Sequence, residues 1–398
     1  MKKIRCIAVI LVLLVSAGFV AAQDDADEKF NFEIVKKLKS NPVRDQFRSG
    51  TCWSFSANSF IEAELLRMGK PEVDISDMWM VRHAYEDKAV KYVRLHGSLN
   101  FGAGGAFHDV FYTWKTYGVV PEDAYAGLNY GEEKHVHGEM DAVLKKFVDG
   151  VIENGNKKLT TAWFAAYNGI LDAYFGEKPE SFTWNGKKYT PKEFAKFLAF
   201  NPDDYVNLSS YTHHPFYESF ILEIPDNWMW GSCYNLPLDE LMQVFDNALN
   251  NDFAVCWGAD VSEKGFSWTK GVAVVPAETR PDLDGLERDR WEKLTEREKN
   301  EKLFSLSKPI PEKEITQEIR QMAFDNYQTT DDHGMVITGI AKDQNGTKYY
   351  LVQNSWNTTN IYEGYFYASE TYVKYKTMNI VVHKDALPKD IKKKLNIK

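Results

Sequence analysis

A cysteine set between a small-residue turn and an apolar run is a place where a thiolate nucleophile can be made. The stretch Gln46-Phe47-Arg48-Ser49-Gly50-Thr51-Cys52-Trp53-Ser54-Phe55-Ser56-Ala57 contains one. Beyond Cys52, the residues Phe55, Ser56, Ser59, Phe60, Ala63 and Leu66 recur at three- and four-residue intervals, the period of one buried helix face, and Gly69 and Pro71 supply a stop. Cys52 therefore opens a helix. There the unpaired N–H groups and the macrodipole favour thiolate over thiol. Gln46, six residues earlier, offers a side-chain amide that joins the Cys52 N–H as a second donor to one oxyanion.

A thiolate needs a base, and the base needs a group to orient it. His333 follows Thr330-Asp331-Asp332 and opens the alternating apolar strand His333-Gly334-Met335-Val336-Ile337-Thr338-Gly339-Ile340. Asn345-Gly346 predicts a hairpin turn, and Lys348-Tyr349-Tyr350-Leu351-Val352-Gln353-Asn354 returns as the partner strand. Pairing brings His333 and Asn354 together although 21 residues separate them. The Asn354 amide oxygen would accept the His333 ring proton and leave the other ring nitrogen for Cys52, with Trp356 covering that bond against water.

Taken in chain order, Gln46, Cys52-Trp53-Ser54-Phe55, His333 and Asn354-Ser355-Trp356 resemble the papain-like cysteine peptidases. The long segment between helix and histidine, Cys233-Tyr234-Asn235-Leu236-Pro237-Leu238, Trp257-Gly258-Ala259-Asp260-Val261 and the His-Gly-Met form look like the bleomycin hydrolase and aminopeptidase C branch. The resemblance implies an α+β fold in two lobes. A mainly helical lobe would carry Cys52, a β-barrel-like lobe would carry His333 and Asn354, and the active-site cleft would lie between them. It implies peptide hydrolysis through a Cys52 acyl-enzyme, with His333, Asn354 and Gln46 as the other catalytic residues, peptides as substrates, and no metal or organic cofactor. It further implies a homo-oligomer, a hexamer. Papain relatives place a Gly-Gly pair in a turn whose backbone pairs with substrate, which makes Gly104 and Gly105 substrate-binding candidates. Trp356 is a third, beside the same cleft. Members of the branch end in an arm whose terminal carboxylate holds the substrate's free amino group, whereas residues 385–398 resemble the last helix before that arm. The resemblance makes an aminopeptidase the first expectation, and the lack of a matching arm is what admits an endopeptidase. An endopeptidase of the same fold and a catalytically silent papain-like binding module are the alternatives.

The elements that must position these groups follow from the rest of the chain. Residues 1–22 carry Lys2, Lys3 and Arg5, an apolar run from Cys6 to Val20, then Ala21-Ala22, the pattern of a signal peptide. The apolar run is too short for a stable membrane anchor, so the chain is expected to be exported, periplasmic or secreted. Loss of that segment takes the formal charge from −9 to −12, a poor balance for binding nucleic acid or anionic membranes. Residues 23–230 are expected to form the helical lobe with an insertion, and 231–398 the β-rich lobe with a charged helical insertion at about 278–325. Within the first, 140–148 and 160–175 read as helices, and 184–189 as a short hairpin. Cys233 and Cys256 are either a disulfide or two buried thiols. His135, His137, His213 and His214 lack the carboxylate or cysteine spacing of a zinc site and read as ordinary loop histidines.

Overall fold

The computed structural model describes residues 29–280 and 282–398, so the expected signal peptide lies outside the described residues. A strand β1 (Glu33–Lys37) precedes the helix Cys52–Arg67. The helices Asp77–Arg94 and Phe107–Tyr117 pack against that helix, and Gly138–Ile152 and Ala162–Phe175 pack against the second of the three. A separate hairpin, β2 (Phe182–Trp184) and β3 (Lys187–Tyr189), follows. The remaining strands are β4 (Tyr205–Ser209), β5 (Ser219–Ile221), β6 (Ser232–Asn235), β7 (Val255–Ala259), β8 (Phe266–Ser267), β9 (Val272–Ala273), β10 (His333–Lys342), β11 (Lys348–Gln353), β12 (Tyr365–Ser369) and β13 (Thr377–His383). With β1 they form one open sheet in the order β5-β6-β4-β13-β7-β10-β11-β12-β9-β8, β1 pairing with β10. The fold is α+β, and the β-rich part is an unclosed sheet rather than a barrel.

Two expectations change in detail. Every residue from Trp53 to Leu65 is buried, so the Cys52 helix is a central helix covered all round, not one with a single buried face. Strand β10 is likewise buried from His333 to Ala341, which suits its near-continuous apolar text better than alternation. It is packed by the Cys52 helix and by the helix Leu238–Asn250. Gly334 permits the first of these contacts: a Cβ there would sit 2.6 Å from Ser56 Oγ. The sheet also crosses the expected boundary at residue 230, because β1, β4 and β5 come from before it and pair with strands from after it.

Cys233 lies on β6 and Cys256 on β7, with β4 and β13 between them. Three strand spacings of about 4.8 Å put them far beyond disulfide reach. Both are buried free thiols. The charged segment before β10 forms the exposed helices Gly285–Glu292 and Glu296–Leu303. The helix Gln317–Asp325 then returns to the body of the protein, where Arg320 is buried against Ser210 and Lys374.

Candidate active site

Cys52 is the first residue of its helix, and Thr51 at the cap offers it no side-chain hydrogen bond. The Cys52 N–H therefore has no intrahelical acceptor. The residue is half-buried and lines a cavity of about 40 Å³ together with Trp53, Gly105, Asp226, Asp331 and His333. Burial pushes its thiol up to about 12, the backbone N–H groups of Gly334 and Trp53 pull it down, and Asp331 and Asp226 push it up again. The helix terminus was expected to lower it. Desolvation outweighs the terminus.

His333 is buried at the mouth of β10, and Asn354 directly follows β11. The β10–β11 register sets Val336 opposite Gln353 and so brings the two strand ends to the same edge. His333 Nε2 lies 2.6 Å from Asn354 Oδ1. The Ser355 N–H, 2.8 Å away, donates to that same Asn354 atom, which must therefore be the oxygen. His333 Nε2 then carries the proton, and Nδ1 is free to accept one. Trp356 lies over the histidine, ring centroids 4.5 Å apart and planes 31° apart, and is itself flanked by Phe266 and Trp268. Burial brings His333 down to about 4, partly offset by the Asn354 bond.

Gln46 is stitched to the Asn354 strand end rather than placed on the cavity wall. Its N–H donates to Ser355 O at 2.9 Å, and its side-chain Oε1 accepts from Ser355 Oγ at 2.6 Å. Its Nε2 gives one hydrogen to Ser49 O at 2.8 Å and keeps a second. Gly105 lines the cavity. Gly104 does not, because the Asp226 carboxylate lies on the face a Cβ would occupy. The Gly104 backbone is therefore not open to an extended substrate: its carbonyl accepts from Lys88 Nζ, and Trp53 Nε1 holds the preceding carbonyl, Ala103 O, at 3.0 Å. Trp356 covers the histidine and is absent from the lining of the cavity.

The pattern of the papain family cysteine proteases matches residues 28–175, and that of the peptidase C1-like family matches residues 312–398, so together they take in Cys52, His333 and Asn354. Aminopeptidase C of Lactobacillus helveticus is 22% identical over 94% of this chain and 88% of its own. Cysteine proteinase 1, mitochondrial, of Saccharomyces cerevisiae (strain JAY291) is 22% identical over 91% and 79%. The chain is a papain-like cysteine peptidase. Its curated relatives put it in the aminopeptidase C branch. The crystal structure of pepw from Lactobacillus rhamnosis shares the fold, with a TM-score of 0.68 at 17% identity over 92% of this chain and 84% of that one.

Sequence reasoning passed over two groups that this peptidase places beside its cysteine. Asp331 stands two residues before the histidine and was in plain view. Asp226 lies in the loop between β5 and β6, in a stretch whose text carries no period or motif. Both line the cavity.

Of the eight other histidines, His135, His137, His213 and His214 form two pairs. His135 and His137 are buried among Phe55 and Phe175, and desolvation brings them down to about 4 and 3. His213 and His214 meet Glu223 at 3.1 and 2.7 Å. Gln321 Oε1 accepts the Thr212 N–H at 2.6 Å, so its Nε2 faces His213 Nδ1 at 3.0 Å. That bond puts the His213 proton on Nε2, aimed at Glu223, which accounts for this exposed trio as a hydrogen-bonded cluster.

Proposed function

We propose that the chain is an exported aminopeptidase in which Cys52 is the nucleophile and His333 the general base and acid. Cys52 and His333 share one small cavity, and the 2.6 Å bond to Asn354 holds His333 in the tautomer that accepts a thiol proton. That arrangement carries the reading. The Cys52 sulfur attacks the carbonyl while its proton moves to His333 Nδ1, and the Cys52 N–H with the remaining Gln46 Nε2 hydrogen takes the oxyanion. Protonated His333 then gives its proton to the leaving amine, and neutral His333 draws one from water to clear the acyl group. Restriction to the amino end is supported by the aminopeptidase C relatives and by the shallow space beside Cys52.

Aminoacyl-7-amido-4-methylcoumarins and their N-acetylated forms separate the readings. Hydrolysis is expected for the free-amine substrates, with the acetylated ones slower by at least about 100-fold, as loss of a charge-assisted contact to a buried group implies. Equal rates, or internal cuts in a longer peptide, would show an endopeptidase. Export is supported by the charged, apolar and Ala-Ala order of residues 1–22. Amino-terminal sequencing of the protein in the exported fraction of its host is expected to begin at Gln23; retention of Met1 in the cell interior would refute it.

A further inference from the structure

The loop from Leu222 to Gly231 crosses the cleft beside Cys52 and touches both walls. On one side the Asp226 backbone N–H faces the carboxylate of Asp331, which leads into β10, and favours its charged form. On the other the Asp226 carboxylate lies on Gly104 and takes Asn100 Nδ2 at 3.2 Å. The loop is braced, not loose. Trp228 Nε1 donates to Asp109 at 2.6 Å, Lys91 Nζ to Met229 O at 3.0 Å, and Asn227 Nδ2 to Leu222 O and Gly231 O at 3.0 and 2.9 Å.

Two consequences follow for a peptide bound at Cys52. The cavity of about 40 Å³ holds roughly three water-sized groups, a small fraction of an ordinary ligand pocket. It accepts the end of a chain and not its middle. Its wall also carries an excess of negative charge. Asp226 and Asp331 both face it, and Asp331 Oδ2 is sealed from solvent without a hydrogen-bond partner. Burial raises both acids; the charges of Asp226 and Asp332 take Asp331 further, to about 7, while Lys88, held by Gly102 O and Gly104 O, lowers Asp226 and Asp109 raises it. An unpaired buried carboxylate oxygen calls for a donor, and a cation is the donor that relieves both acids at once. The cation must be small and must arrive with a carbonyl at Cys52. A lysine or arginine side chain needs depth that this space lacks.

We propose that Asp226 and Asp331 bind the α-ammonium group of the residue whose carbonyl Cys52 attacks, so that an internal loop both ends the cleft and selects a free amino terminus. This rests on the aminopeptidase reading. The test compares alanyl-7-amido-4-methylcoumarin with its N-acetyl form for the full chain and three variants, each checked for folding by its thermal midpoint and by stoichiometric alkylation of Cys52. Asp226→Asn and Asp331→Asn are each expected to raise KM for the free-amine substrate by about 10- to 100-fold, the range for a charged hydrogen bond. Their kcat should change little, and their KM for the acetylated substrate should hold or fall. Gly104→Ala keeps the charge, but its new methyl would overlap the Asp226 carboxylate, and it should give the same split. A wild type that prefers free amines, with variants that keep both its KM and its preference, would overturn the assignment while leaving the aminopeptidase reading intact. A wild type that does not discriminate would end both.

Discussion

Cys52→Ala is expected to lower kcat by about 10⁶-fold with KM nearly unchanged, His333→Ala by a comparable factor, and the double variant by no more than either alone. The reason is the burial of both groups. Burial raises the thiol to about 12 and lowers the imidazole to about 4, so at neutral pH neither carries charge by itself. The nucleophile is made only as the proton passes from sulfur to Nδ1. The imidazolium so formed is steadied by Asn354, and the thiolate by the Gly334 and Trp53 N–H groups. Either residue without the other is inert in this respect, and that is what makes the losses overlap instead of adding. Steady-state kinetics on a free-amine substrate, normalised by active-site titration, measures it. Cys52→Ala activity within about 10³-fold of wild type would require another nucleophile.

The same residues show what a sequence can and cannot carry. Cys52, His333 and Asn354 were legible because each sits at the end of an element that announces itself locally, a helix start or a hairpin strand. Gln46 was legible by its spacing from Cys52, but its anchoring on Ser355 was not, since that contact joins residues 309 apart. The sheet was underread for a related reason. Strand β1 pairs with β10 across some three hundred residues, and β4, β5 and β6 are short pieces with no period long enough to show. Asp226 is the sharpest case. Its importance comes from meeting Gly104 and Asp331 in space, and nothing in its own neighbourhood of sequence reports that. The Cys233 and Cys256 alternatives turned on strand order, a property of the whole sheet.

Arg44→Met is expected to destabilise the protein by about 3–5 kcal/mol, the cost of removing one member of a buried ion cluster. Arg44 Nη1 reaches Ile75 O and Asp77, both at 2.8 Å, and Nη2 reaches Glu62 at 2.7 Å. Glu62 lies on the Cys52 helix and Asp77 opens the next one; both side chains are almost wholly buried. Burial holds both carboxyls above their ordinary range, and Arg44 is the main group pulling them back. Without it they would bind protons across neutral pH. A carboxyl whose folded pKa exceeds its unfolded value adds stability that is full below the unfolded value and lost as pH rises through the folded one. The deficit of Arg44→Met should therefore be smaller at pH 5 than at pH 8, and adding Glu62→Gln should recover part of it at pH 8. Urea unfolding at the two pH values reads this directly, and a deficit below about 1 kcal/mol, or one larger at pH 5, would contradict it. Function should follow stability here. Arg44 O accepts the Asn357 N–H at 3.3 Å and Gln46 N–H bonds Ser355 O two residues on, so the segment that Arg44 pins is the one that ties Gln46 to the Asn354 strand end.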